Sequence, residues 1–271
     1  MYKAIFIDID GTLKNNNNII SKRTISAIKK IVEKEILVVL CSGRPKKYVE
    51  AISRECYASK YIITSNGGNI YDYKENKILH KSTIEKQACI ELYKISQQFN
   101  TTFLMDIEEM QVANKLEKCN SSRKILDTDI ETFVNENDIS LCTIKDENFE
   151  KMIKIRKLIE KIKEVEIKQE IKSFGDNNTS GKESMYYFIG NTKVCKGNAI
   201  ERFCKILTID LKDTVAIGDD FNDISMFKVV GHSVVMGNAT SEVKKYADEI
   251  TLSNEEEGVA VFLEKLIYDT L

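Results

Sequence analysis

The feature that most constrains this chain is a short apolar run, Ala4-Ile5-Phe6-Ile7, which ends on two acids, Asp8 and Asp10, with Gly11 and Thr12 directly behind. Four apolar residues with no polar alternation describe a strand buried on both faces, as in a parallel sheet. Side chains two apart on a strand point the same way, so Asp8 and Asp10 meet where the strand ends. Gly11 lets the backbone turn sharply there. Two anions side by side repel one another and need a cation. Taken alone, the stretch is equally well a strand followed by an Asp-Gly turn with solvated carboxylates. The residues downstream decide.

The same pattern recurs along the chain. Residues 36–40, 61–64, 214–217 and 233–236 are further short apolar runs, and each ends in polar or glycine-rich turn residues. Those turns are Cys41-Ser42-Gly43-Arg44, Ser65-Asn66-Gly67-Gly68, Gly218-Asp219-Asp220-Phe221-Asn222-Asp223 and Gly237-Asn238. Amphipathic helices are predicted between them. One covers residues 21–34, with Ser21 as N-cap, and Pro45 fits the first turn of another. Others fall at residues 197–206, up to about residue 229, 241–246 and 258–268. Residues 69–73 and 77–81 read as a β-hairpin. Strands alternating with helices define an α/β fold, a doubly wound, Rossmann-like parallel sheet whose ligands bind at the C-terminal strand ends.

Between residues 83 and 188 the rhythm changes. A helix over 84–100 and a strand over 101–105 are followed by a polar, irregular stretch to residue 146. A heavily charged segment over 149–170 with helical stretches, whose start could be a strand, a polar loop over 176–184 and a strand over 185–189 follow. The predicted organisation is a core of residues 1–82 and 189–271, interrupted by an α+β insertion at 83–188. Within the insertion, Asp176 to Gly181 resembles the start of a calcium loop, but Tyr187 stands where the twelfth-position Glu belongs. Gly181-Lys182 resembles the end of a phosphate loop, but Glu183 stands where Ser or Thr is required. Both are rejected.

Composition narrows the classes further. With 42% hydrophobic and 30% charged residues in 271, the chain can bury a substantial core. A formal net charge of -2 gives no reason to expect a nucleic-acid partner. The seven cysteines include no pair at two-residue spacing, and with two distant histidines they make no zinc site. They read as reduced packing thiols of a cytoplasmic protein. No apolar run approaches a membrane span, and the N-terminal run lacks a cleavage pattern.

The strand ends and one helix start together supply the parts of a phosphoryl-transfer site. Such chemistry needs positioning and charge neutralisation above all. Asp8 is a carboxylate nucleophile in waiting, and Asp8 with Asp219 offers hard oxygen ligands for Mg²⁺. Lys196 supplies a positive point charge, and Ser42 a hydroxyl donor to a phosphate oxygen. Asp10 is placed to protonate a leaving oxygen and later to deprotonate water.

Asp8-Ile9-Asp10-Gly11-Thr12, Ser42-Gly43-Arg44, Lys196-Gly197-Asn198-Ala199 and Gly218 to Asp223, in that order, resemble the four motifs of haloacid dehalogenase-like (HAD) hydrolases. Asn66-Gly67-Gly68 and Met236-Gly237-Asn238-Ala239 narrow the likeness to the Cof-type phosphatase branch. The resemblance implies Asp8 as nucleophile, Asp10 as general acid and base, and Lys196 beside them. It implies Mg²⁺ held by Asp8, the Asp10 carbonyl and Asp219, with Asp223 in support, Ser42 and Gly43 at the phosphate, and Asn222 facing the phosphate or the metal's waters. It also makes the insertion a cap. The expected activity is hydrolysis of small phosphorylated metabolites such as sugar phosphates through an aspartyl phosphate. The alternatives are a phosphomutase on the same fold and an inactive binding or regulatory module.

Overall fold

The computed structural model describes residues 2–107, 110–115, 123–173 and 183–269. The calcium-like and phosphate-loop-like segment at 176–182 and Cys119 lie outside the described residues. The chain forms two compact units, Met1–His80 with Cys195–Leu271, and Lys81–Val194.

The first unit opens with β1 (Ala4–Ile7), α1 (Lys22–Glu33), β2 (Leu37–Cys41), α2 (Lys46–Glu55), β3 (Tyr61–Thr64) and the hairpin β4 (Asn69–Asp72) and β5 (Lys77–Lys81). The second unit follows as α3 (Lys86–Gln98), β6 (Thr102–Ile107), β7 (Met110–Ala113), β8 (Lys124–Ile125), α4 (Ile130–Glu136), β9 (Leu141–Asp146), α5 (Phe149–Ile159), β10 (Val165–Ser173) and β11 (Ser184–Asn191). The first unit then resumes with α6 (Lys196–Leu207), β12 (Thr214–Gly218), α7 (Ile224–Phe227), β13 (His232–Val235), α8 (Ser241–Lys244), β14 (Glu249–Ile250) and α9 (Gly258–Asp269).

The first unit is built on one sheet in the order β14-β13-β12-β1-β2-β3-β4-β5. From β14 to β3 the neighbours are parallel, and β4 turns back antiparallel on β3. All four residues of β1 are buried completely. Ile5 and Ile7 face a core shared with α1 and α9, while Ala4 and Phe6 face one shared with α6 and α7. Phe6 meets Phe203 of α6 edge to face, with ring centroids 5.6 Å apart. Burial on both faces is why this strand carries no polar alternation. Ser21 caps α1 as its sequence predicts, accepting a hydrogen bond from the Thr24 N–H. Pro45 stands one residue earlier than predicted, as the extended residue (φ -71°) before α2.

The second unit is a separate α+β body. Its sheet runs β10-β11-β9-β6-β7-β8 and is antiparallel apart from the β7–β8 pair. α3, α4 and α5 bury their apolar side chains in one core with Phe103, Met105, Cys142, Ile144 and Tyr187 of the strands. Here the sequence reading needs correction. The stretch read as polar and irregular holds β7, β8, α4 and the interior strand β9, whose apolar residues Cys142 and Ile144 alternate with Thr143 over too short a run to stand out. In the charged segment over 149–170 the start, which could have been a strand, is the helix α5, and the strand, β10, comes after it. Its Glu and Lys residues belong to an edge strand, where charge blocks further pairing. β11 runs through residue 188, where the insertion was expected to end, because Ile189 is still in the second unit's core.

Candidate active site

Register brings the expected residues level. Ile7 pairs with Ile217 of β12 on one side and Leu40 of β2 on the other. Asp8, the Gly218–Asp219 turn and Ser42 therefore leave the sheet at one edge. The Asp8 N–H still donates to the Ile217 carbonyl (3.0 Å) and the Ser42 N–H to Ile63 (3.0 Å), so both residues are held by extended ladders. Gly11 takes φ +86°, and a Cβ there would strike the Asp219 carboxylate. Only glycine fits both the conformation and the space.

Lys196 is the first residue of α6 and is 1% exposed. Its Nζ donates to Asp8 Oδ1 at 2.5 Å and to Asp223 Oδ1 at 2.6 Å. The other Asp223 oxygen accepts from the backbone N–H groups of Asp219 (3.0 Å) and Asp220 (3.1 Å), fixing the turn after β12. The Thr12 hydroxyl donates to Asp219 Oδ1 at 2.5 Å. Asp8, Asp219 and Asp223 each offer one oxygen, and those atoms lie within 4.8 Å of one another.

Three carboxylates thus face one ammonium in a buried place. Burial pushes the Asp8 carboxyl well above the usual carboxylate range, against the pull of Lys196. Burial lifts Asp219 to about 7, against its hydrogen bond from Thr12. Burial would discharge Lys196, but Asp223 and Asp8 outweigh it and hold the ammonium charged. Ionised together, the three carboxylates would exceed the one ammonium by two negative charges, and that excess with the hard oxygen donors fits a divalent cation such as Mg²⁺. Asp223 spends one oxygen on Lys196 and the other on two backbone N–H groups, which leaves Asp8 and Asp219, the latter held by Thr12 and Asn238, as the residues that could ligate it.

The remaining expected residues fall into two groups. Ser42 is buried in the turn after β2, with Gly43 half-buried beside it, and the Ser42 hydroxyl accepts from the Arg44 N–H (3.2 Å). Asn222 sits in the short helical turn before α7 and donates through Nδ2 to Asn66 Oδ1 (3.0 Å). The side chain of Asp10, by contrast, does not join the carboxylate cluster. It turns to Arg44, whose Nε and Nη2 reach its two oxygens at 2.9 and 3.2 Å. β1 ends at Ile7, so the strand alternation expected to align Asp8 with Asp10 stops short of both, and Asp10 pairs with Arg44 instead. Three further contributors escape the sequence reading in their roles: Thr12, Asn66 and Asn238. Asn238 donates to the Gly11 carbonyl (2.9 Å) and ties the turn after β13 to the first one. Their signal lay in their motifs, but their partners lie far away along the chain.

Comparison with known proteins gives one consistent outcome. A family model described as haloacid dehalogenase-like hydrolase matches residues 5–263. A phosphatase of Bacillus subtilis, YwpJ, is 27% identical over 98% of this chain and 100% of its own length. A second protein of that organism, the 5-amino-6-(5-phospho-D-ribitylamino)uracil phosphatase YcsE, is 30% identical over 95% of this chain and 93% of its own. Among solved structures, a haloacid dehalogenase-like hydrolase from Bacteroides thetaiotaomicron superposes with a TM-score of 0.81 at 26% identity, covering 98% of this chain and 100% of that one.

Proposed function

This chain belongs to the haloacid dehalogenase-like hydrolase family, in its Cof-type branch, and is a phosphatase; on that premise we propose that it hydrolyses small phosphorylated metabolites, sugar phosphates foremost, through a phosphoryl group carried on Asp8 with Mg²⁺ as cofactor. The observation that carries the reading is the buried Asp8 carboxylate, held at 2.5 Å by Lys196 beside Asp219. A relative named for a phosphoribityl compound supports a sugar-like ester as substrate.

Asp8, the Asp10 carbonyl and Asp219, with Asp223 in support, would hold Mg²⁺, which when bound would supply the positive charge that lets one anion approach another. Lys196 holds one Asp8 oxygen, and the carboxylate attacks phosphorus as the bond to the leaving oxygen breaks. Lys196, the Ser42 hydroxyl, the Gly43 backbone and the Asn222 carboxamide hold the phosphoryl oxygens. Asp10 leaves its pairing with Arg44, takes up a proton from solvent, passes it to the leaving oxygen, and takes one back from the water that frees phosphate from Asp8. The unit at residues 81–194 acts as the cap, excluding bulk water and choosing the leaving group.

Phosphate release from a panel of sugar phosphates, nucleotides and p-nitrophenyl phosphate, with Mg²⁺ and with EDTA, tests this. Release that depends on Mg²⁺ and favours small esters is expected. Undiminished turnover in chelator would remove the metal from the mechanism, and silence across the panel with Mg²⁺ present would overturn the substrate class.

A further inference from the structure

Three buried side-chain atoms among the described residues lack a hydrogen-bond partner: Thr64 Oγ1, Asn66 Nδ2 and Asn69 Oδ1. All three belong to the connection from β3 to β4, where Thr64 pairs with Asn69. A buried donor left unpaired is costly, so native proteins keep one where something else completes it. Asn66 is the member of the three that is bonded into the candidate site. Its N–H donates to the Ser42 carbonyl at 3.1 Å, and its Oδ1 accepts from Asn222 at 3.0 Å. The next residue, Gly67, lies so close to the Cys195 carbonyl that a Cβ would collide with it, one residue before Lys196. This turn therefore touches, by backbone or side chain, the segments carrying Ser42, Asn222 and Lys196.

The backbone adds a second observation. Ser65, Asn66 and Gly67 stand in succession at φ +53°, +55° and +97°, in the left-handed region that non-glycine residues avoid. Conformations of this kind persist where the surroundings enforce them, and they cluster at ligand clamps. Here the strain holds an uncharged carboxamide, 2% exposed, beside two residues expected to grip the phosphoryl group. An amide N–H₂ suits an oxyanion and adds nothing to the charge already crowded at the site.

We infer that Asn66 is a further substrate-binding residue, its buried Nδ2 donating to an oxygen of the phosphoryl group while its Oδ1 holds the Asn222 carboxamide in place. The inference rests on the phosphatase reading of this same site and deepens it by one donor from the turn after β3.

The test titrates inorganic phosphate calorimetrically into the Mg²⁺-loaded protein, in the wild type, Asn66→Gly, Asn222→Ala and the double variant. Glycine accepts φ +55° freely, so Asn66→Gly removes the side chain and keeps the turn. The phosphate Kd is expected to weaken roughly tenfold or more in Asn66→Gly, and by a similar factor again when that change is made in Asn222→Ala. No further loss in the Asn222→Ala background would overturn direct donation and leave Asn66 acting only through Asn222. Should Asn66→Gly fail to fold, Asn66→Asp keeps the acceptor for Asn222 and lacks the N–H; a wild-type Kd there would also overturn the inference. A wild-type protein that binds phosphate and releases it from esters, with unchanged Kd in the variants, sinks this inference alone. A wild-type protein that does neither sinks the phosphatase reading, and this inference with it.

Discussion

Lys196 holds the electrostatics of the first unit's sheet edge, with Asp8 and Asp223 both within 2.6 Å of one ammonium. Removing one member of a buried ion cluster leaves the others without compensation, at a cost of roughly 3–5 kcal/mol. Lys196→Met should lower the unfolding free energy read from denaturant titration by about that much, and an unchanged free energy would show that the charges are not coupled as described. Asp106 in the second unit offers a pH experiment away from the site. Burial lifts its carboxyl to about 6 from an ordinary 3.8, against its hydrogen bond from Gln111. As pH rises the unfolded chain loses that proton first, so stability falls between about pH 4 and pH 6 and stays reduced above. The shift corresponds to roughly 3 kcal/mol at neutral pH. Asp106→Asn keeps the acceptor for Gln111 and removes the charge. It should therefore gain stability over the wild type at pH 7 and none at pH 4; equal curves at both would refute the assignment.

Among elements, the turn after β3 is the most exacting. Gly67 stands at φ +97° with the Cys195 backbone directly against it. The left-handed conformation alone costs an alanine roughly 1–2 kcal/mol, before the collision is counted. Gly67→Ala should lower the melting temperature and reduce turnover together, because the displaced neighbour carries Lys196. A variant with wild-type melting and turnover would contradict this packing. The same turn shows what a sequence can reveal. β1, β2, β3, β12 and β13 are legible because burial on both faces leaves unbroken apolar runs, each cut off by Asp, Ser or Gly. β9 and β10 are not, because a four-residue alternation and an edge strand of Glu and Lys each resemble something else. In the site, Asp8, Lys196 and Asp219 are legible as residues with a chemistry. The turning of Asp10 to Arg44, the three bonds of Asp223 and the hold of Asn66 on Asn222 are not. They depend on which turn meets which, across separations of 34 and 156 residues for the first and last.

The whole molecule is two units, each with its own core, and the second is one continuous segment, Lys81–Val194. No helix among the described residues is long and apolar enough to cross a membrane. A chain in which a short flexible linker replaces residues 81–194 should still unfold cooperatively and bind Mg²⁺. It should lose its discrimination among phosphate esters, read as converging kcat/KM values across the panel. A shortened chain that keeps the full enzyme's ranking would take specificity away from the inserted unit.

The central claim, that Asp8 carries the phosphoryl group, is open to direct chemical trapping. Protein quenched during turnover is reduced with borohydride, which converts an acyl phosphate of aspartate to homoserine, and its peptides are analysed by mass spectrometry. The account predicts homoserine at position 8 in turning-over enzyme, with none in enzyme lacking substrate. It also predicts a loss of turnover by roughly 10⁴-fold or more in Asp8→Asn. Unreduced aspartate at position 8, with Asp8→Asn still releasing phosphate, would contradict it.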